Sequence, residues 1–96
     1  MNKNLHDEQM KLLFEAVLSL ENHDECSAFF DDLCTIGELA AMAQRYSVAI
    51  LLRQGIPYHD IARQTGASTA TISRVNRALQ YGADGYKLVL GRKDNE

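Results

Sequence analysis

The sequence has no tryptophan, one proline and two cysteines among its 96 residues. Cys26 and Cys34 are too few for a disulfide framework and lack the spacing of a zinc site, so we expect two reduced thiols. The three histidines, His6, His23 and His59, are scattered and predict no metal site. No apolar run approaches the ~20 residues that cross a bilayer. The start of the chain is amphipathic, which differs from a signal peptide, and we expect a cytoplasmic protein without membrane contact.

Patterns that would indicate catalysis are also missing. The sequence contains no recognisable acid–base pair, Cys–His pair, glycine-rich phosphate loop or metal spacing. We therefore expect no enzyme, no catalytic residue and no cofactor. The chain length fits one domain over residues 1–96.

The charges divide the chain into an acidic half and a basic half. Residues 1–44 have two Lys or Arg against nine Asp or Glu, and residues 45–96 have eight against four. The formal net charge of −3 argues against a protein that coats nucleic acid without sequence preference. A basic face on an acidic protein can meet phosphates while the acidic half discourages misplaced contacts.

Apolar residues recur at three- and four-residue spacing, which predicts an all-α protein. We predict helices over Leu5–Leu20, Glu25–Leu33, Ile36–Arg53, Tyr58–Thr65, Thr69–Gln80 and Tyr86–Leu90. Ser68 can cap the start of the fifth of these helices. The last of these is a short helix within residues 83–90, and we expect a frayed tail over Gly91–Glu96.

The predicted third helix, Ile36–Arg53, is apolar on most of its faces. A helix of this kind is buried on most sides. In so small a chain this favours a central helix that packs against its own chain and against a second copy, with residues 5–53 forming the dimer. The alternative is the central helix of a monomeric bundle.

Residues 56–80 have the pattern of a helix-turn-helix. Ala62 is small enough for two helices to cross closely, and Gly66 suits a sharp turn. Ile61, Ile72 and Val75 stand where apolar anchors are needed below both helices. The motif predicts DNA binding. A helical hairpin of the same shape that contacts a protein, without direct DNA readout, is the alternative.

The outer face of the second helix is small near its start and basic further along. At ~100° per residue, Ala70, Ser73, Arg74 and Arg77 lie opposite the apolar anchors. Small side chains allow a helix to enter the major groove, and arginines can hold backbone phosphates. The predicted DNA-binding residues are His59, Arg63, Ser68, Thr69, Ala70, Thr71, Ser73, Arg74 and Arg77.

These residues also show a family resemblance. The runs Leu51–Arg53, Gly66–Ala67 and Ala70–Arg74 resemble the trp repressor, and Phe29–Thr35 together with Gly66–Gly82 resembles the YerC/YecD branch of that superfamily. The resemblance implies a six-helix, trp-repressor-like bundle, an intertwined homodimer and transcriptional regulation, with repression as the expected outcome. The paired recognition helices would enter successive major grooves of double-stranded DNA, ~34–36 Å apart.

The resemblance also indicates a candidate effector cleft formed by Gln44, Arg45 and Arg74. The trp repressor holds tryptophan between its central helix and its recognition helix, with an arginine from each. Arg74 matches one arginine, whereas Gln44 occupies the other position and Arg45 lies beside it, turned by ~100°. An amide is a poorer partner for a carboxylate than a bidentate arginine. We therefore expect tryptophan to bind weakly or not at all, and another small effector stays open.

Overall fold

The computed structural model describes the backbone of residues 2–95 and the side chains of residues 4–95. Within that range the chain forms six α-helices and no strand. They are α1 (Asn2–Leu18), α2 (His23–Leu33), α3 (Ile36–Arg53), α4 (Tyr58–Thr65), α5 (Thr69–Tyr81) and α6 (Gly85–Asp94). None of the described helices is long and apolar enough to cross a membrane.

The predicted bounds of α3 and α4 are confirmed, α5 ends at Tyr81 where Gln80 was predicted, and the bounds of α1 and α2 differ slightly. α1 extends from Asn2 to Leu18, whereas Leu5–Leu20 was predicted, and the Ser19 hydroxyl donates to the Ala16 carbonyl just after the helix ends. α2 begins at His23, earlier than the predicted Glu25, because the Asn22 side chain accepts a hydrogen bond from the backbone N–H of Glu25 and caps the helix.

The C-terminal helix differs most from its prediction. A brief helix within residues 83–90 and a frayed tail from Gly91 were expected, but α6 extends from Gly85 to Asp94. The side chain of Asp94 forms an ion pair with Arg53 at the end of α3, and Leu90 is buried in the core. Both contacts hold the last turns in place, so the prediction of a frayed tail was wrong as far as Asp94.

The chain divides after Ile36 into two compact units. In the first unit no described side chain is buried. Large apolar side chains of α1 are exposed instead, among them Leu12, Phe14 and Leu18, the last at 83%. Cys26 and Cys34 are not joined by a disulfide.

The second unit, from Gly37 onward, contains the core. Its buried residues come from α3, α4, α5, α6 and the turn between α4 and α5, and they are Val48, Ala49, Ile61, Ala67, Ile72, Val75 and Leu90. Burying a Val, Ile or Leu side chain contributes ~1.5–3 kcal/mol relative to exposure. Ile61, Ile72 and Val75 belong to the predicted helix-turn-helix, so their burial fixes how α4 and α5 cross.

Candidate nucleic-acid interface

Helices α4 and α5 form the predicted hairpin on three apolar anchors. Ile61 from α4 and Ile72 and Val75 from α5 are all buried, as the spacing predicted. Ala62, the small residue expected at the crossing, is half-buried and packs against this core. The anchors hold α5 by one side, which leaves its opposite side open to a ligand.

The turn between α4 and α5 is held by its backbone and by one hydroxyl. Gly66 has φ +76°, where a residue with a side chain is strained, and its N–H donates to the Ala62 carbonyl at 2.8 Å. The Thr65 hydroxyl donates to the Ile61 carbonyl at 2.7 Å and accepts from the backbone N–H of Ala67 at 3.1 Å. The glycine was predicted for this role. Thr65 was not, because its contacts depend on the folded turn.

Gln44 reaches the same turn from α3. Its Nε2 donates a hydrogen bond to the carbonyl oxygen of Thr65 at 3.2 Å. Thr65 is the last residue of α4, where carbonyls have no partner inside the helix. The Gln44 side chain therefore satisfies an end-of-helix acceptor and ties the central helix to the hairpin. Sequence reasoning considered Gln44 only as a member of the effector cleft.

Arg45 and Arg74, the other two residues of the candidate effector cleft, are less constrained. Arg45 is half-buried on α3, and Arg74 is exposed on α5. Neither forms an ion pair or a side-chain hydrogen bond with another residue in the described range. Their cations are available to a ligand, whereas the amide of Gln44 already has a partner.

Ser68 caps the start of α5, as predicted. Its Oγ accepts from the backbone N–H of Thr71 at 3.1 Å and donates to the Thr71 hydroxyl at 3.1 Å. These two side chains, both predicted to contact DNA, are thus bonded to each other, and Thr71 is half-buried. Thr69 and Ala70 are exposed in the first helical turn, where backbone N–H groups and the helix dipole favour an anion.

The outward face of α5 agrees with the projection from the sequence. Ala70, Ser73, Arg74 and Arg77 are exposed, opposite the buried anchors. No carboxylate in residues 4–95 lies within ion-pair distance of Arg74 or Arg77. The face is therefore small at its start and positively charged, without internal compensation, along its second half.

The two predicted basic residues of α4 share one carboxylate. Arg63 donates to Asp60 Oδ1 at 2.9 Å, and His59 Nε2 lies 3.5 Å from the same oxygen. The side chain of Arg63 is 74% exposed and that of Asp60 28%. Both side chains remain at the surface, but Asp60 offsets part of the positive charge that Arg63 offers to phosphates.

Two consecutive side-chain hydrogen bonds connect α4 with α5 on the side away from the turn. Asn76 Nδ2 donates to the Tyr58 hydroxyl at 3.0 Å, and Gln80 Nε2 donates to Asn76 Oδ1 at 3.2 Å. None of these three residues was predicted to be functional. The four-residue spacing of Asn76 and Gln80 is the only local signal, since polar residues at that spacing can pair on a helix.

Comparison with known proteins agrees with this geometry. The sequence pattern of the Trp repressor protein family matches residues 8–94. The chain belongs to the Trp repressor family. It is 53% identical to the uncharacterised protein YerC of Bacillus subtilis over 92% of this chain and 85% of YerC. The prediction of this superfamily, in its YerC-like branch, is confirmed.

Two solved structures resemble the fold of this family member. A Trp repressor candidate from Staphylococcus aureus has a TM-score of 0.90 and 48% identity, with 98% of this chain and 94% of the other covered. A TrpR-like protein from Eubacterium eligens has a TM-score of 0.88 and 53% identity, with 91% and 90% covered. The prediction of an all-α, trp-repressor-like fold is confirmed, and family membership identifies a DNA-binding regulator.

Proposed function

We propose that this Trp repressor family member is a sequence-specific transcriptional repressor that reads the major groove with α5. The observation that carries the proposal is the outward face of α5, where small side chains are followed by Arg74 and Arg77 without a neighbouring carboxylate. A face of this kind can approach base edges closely and can hold phosphates at the groove margin.

The side chains of α5 would divide these tasks. Thr69, Ala70 and Ser73 are small and exposed, so they can reach base edges or a thymine methyl. Arg74 and Arg77 would bind phosphates and position the domain. Ser68 and Thr71 act first on the helix itself, because their mutual hydrogen bonds cap its start. Specificity would therefore depend mainly on the first two turns of α5.

We propose that the functional unit is a homodimer in which a second copy covers the apolar residues of the first unit. Leu12, Phe14 and Leu18 are exposed on α1, and each such side chain would gain ~1.5–3 kcal/mol on burial. At ~100° per residue, Phe14 and Leu18 share one side of α1 and Leu12 lies on another, so a second copy would cover α1 on more than one side. A twofold dimer would present two α5 helices to successive major grooves.

The oligomeric state can be measured by analytical ultracentrifugation at micromolar protein concentration. We expect a mass about twice that of the 10.7 kDa chain. Leu12→Glu should give a monomer, since it places a charge in the apolar surface. Gln9→Glu adds the same charge at an exposed polar position of α1 and should leave the dimer intact. A native chain that sediments as a monomer would contradict the dimer.

Selection of bound fragments from random duplex DNA tests the repressor proposal. We expect enrichment of a palindromic site whose half-sites are ~10–10.5 base pairs apart, centre to centre. Affinity for the selected site should fall steeply with salt, because phosphate binding releases counterions. A reporter gene with the site beside its promoter should then be repressed by the chain. Absence of both enrichment and salt dependence would favour a helical module that binds protein.

A further inference from the structure

Gln80, Asn76 and Tyr58 are linked by two consecutive hydrogen bonds, and the direction of one fixes the direction of the other. Gln80 Nε2 donates to Asn76 Oδ1, so the oxygen of the Asn76 amide faces Gln80 and its nitrogen faces Tyr58. The Tyr58 oxygen is therefore an acceptor in this pair. A phenol has one hydrogen to donate, and this bond does not use it. With Tyr58 37% exposed, that hydrogen is available to an outside acceptor.

The position of Tyr58 makes a DNA phosphate the fitting acceptor. Tyr58 is the first residue of α4, the helix that crosses the backbone of DNA in a helix-turn-helix. Its partner Asn76 follows Ser73 by three residues on α5 and precedes Arg77, so Asn76 lies at the margin of the face proposed to enter the groove. The hydroxyl is thus held beside the path of the backbone. Neutral hydroxyl donors are regular phosphate ligands in DNA-binding proteins.

We propose that the Tyr58 hydroxyl binds a backbone phosphate of duplex DNA and that Asn76 is the positioning residue that orients it. This inference rests on the proposed DNA-binding function. The Tyr58 side chain loses little conformational entropy when DNA binds, because its hydrogen bond with Asn76 is already made in the free protein. It contributes no charge, which separates it from the arginines of α5.

The first test is Tyr58→Phe in the full chain, with a mixed-sequence DNA duplex as probe and fluorescence anisotropy as readout. Loss of the hydrogen bond to a charged phosphate should weaken DNA binding about tenfold for each Tyr58 hydroxyl that contacts the duplex. The slope of affinity against salt should not change, because no cation is lost. Tyr81→Phe removes the same group from an exposed tyrosine of α5 and should leave affinity unchanged.

Two further variants separate a phosphate contact from a purely structural role. Replacing Tyr58 by a ring-fluorinated tyrosine, under conditions where the phenol stays protonated, makes the hydroxyl a stronger donor and a weaker acceptor. Donation to phosphate then predicts tighter DNA binding, whereas a role limited to accepting from Asn76 predicts weaker binding. In an Asn76→Ala background, Tyr58→Phe should weaken binding by clearly less than tenfold, since the hydroxyl is no longer oriented.

The results distinguish this inference from the function on which it depends. If the native chain shows no salt-dependent DNA binding, both are overturned. If it binds and Arg77→Ala reduces the salt slope, the DNA-binding function stands. Unchanged affinity of Tyr58→Phe in that case would overturn the Tyr58 contact alone, as would weaker binding of the fluorinated protein.

Discussion

Tryptophan at millimolar concentration is expected to bind this protein weakly or not at all, despite its family. The trp repressor uses two arginines around the amino acid, and this chain has Gln44 at one of the two positions. In the structure the Gln44 amide nitrogen already donates to the Thr65 carbonyl at 3.2 Å. This bond uses one of the two N–H groups of the amide, so only the other remains for a ligand carboxylate. The site therefore lacks a cation and offers one neutral N–H where an arginine would offer two charged ones.

The size of the effect follows from these two losses. A typical hydrogen bond contributes ~1 kcal/mol net, and charge-assisted ones are roughly twice as strong, so exchanging arginine for glutamine costs about 1 kcal/mol. The second hydrogen bond of a bidentate arginine, which Gln44 cannot make while it holds Thr65, is worth about another 1 kcal/mol. At ~1.4 kcal/mol per decade, these losses weaken binding roughly thirtyfold relative to a site with two arginines.

Isothermal titration calorimetry with tryptophan, on the native chain and on Gln44→Arg, measures this difference. We expect no saturation of the native chain in the micromolar range and tighter binding by the variant. Gln54→Arg, which adds the same charge just after α3, is the matched control and should behave like the native chain. Saturable micromolar binding by the native chain that also raises DNA affinity would refute the reasoning. If Arg45→Ala then abolished that binding, Arg45 would be the missing cation.

Further predictions concern the charges of the hairpin and two glycines, one in its turn and one in α6. Arg77→Ala should weaken binding to all DNA sequences similarly and reduce the salt slope by about one, and an unchanged slope would remove Arg77 from the phosphate contacts. Arg63→Ala should reduce the slope less, because Asp60 lies 2.9 Å from Arg63 and already offsets its charge. Asp60→Asn should strengthen binding to mixed-sequence DNA and steepen its salt dependence, and equal or weaker binding would contradict this account. Gly66→Ala should lower the free energy of unfolding in urea by ~1–2 kcal/mol, owing to φ alone, since its Cβ would meet nothing closer than 3.8 Å. Gly91→Ala in α6, where no positive φ is needed, should raise the free energy of unfolding by ~0.5–1 kcal/mol, so equal effects of the two substitutions would show that the turn does not require glycine.

The sequence alone determined the features that depend on neighbours along the chain. The spacing of Ile61, Ile72 and Val75 predicted the buried side of the hairpin, and Gly66 predicted its sharp turn, where φ is positive. Ser68 predicted the cap of α5. These features repeat or interact within one or two helical turns, so residue type and spacing were enough to locate them.

The tertiary structure decided what connects distant parts of the chain. Gln44 and Thr65 are 21 residues apart, and Tyr58 and Asn76 are 18 apart. The ion pair at the end of α6 joins Arg53 to Asp94, 41 residues later in the chain. Each of these polar side chains has many potential partners in the unfolded chain, and only the packing of the core selects one. The sequence therefore predicted which side of α5 faces outward. The fold decided that Gln44 bonds to Thr65 and that Asn76 orients Tyr58.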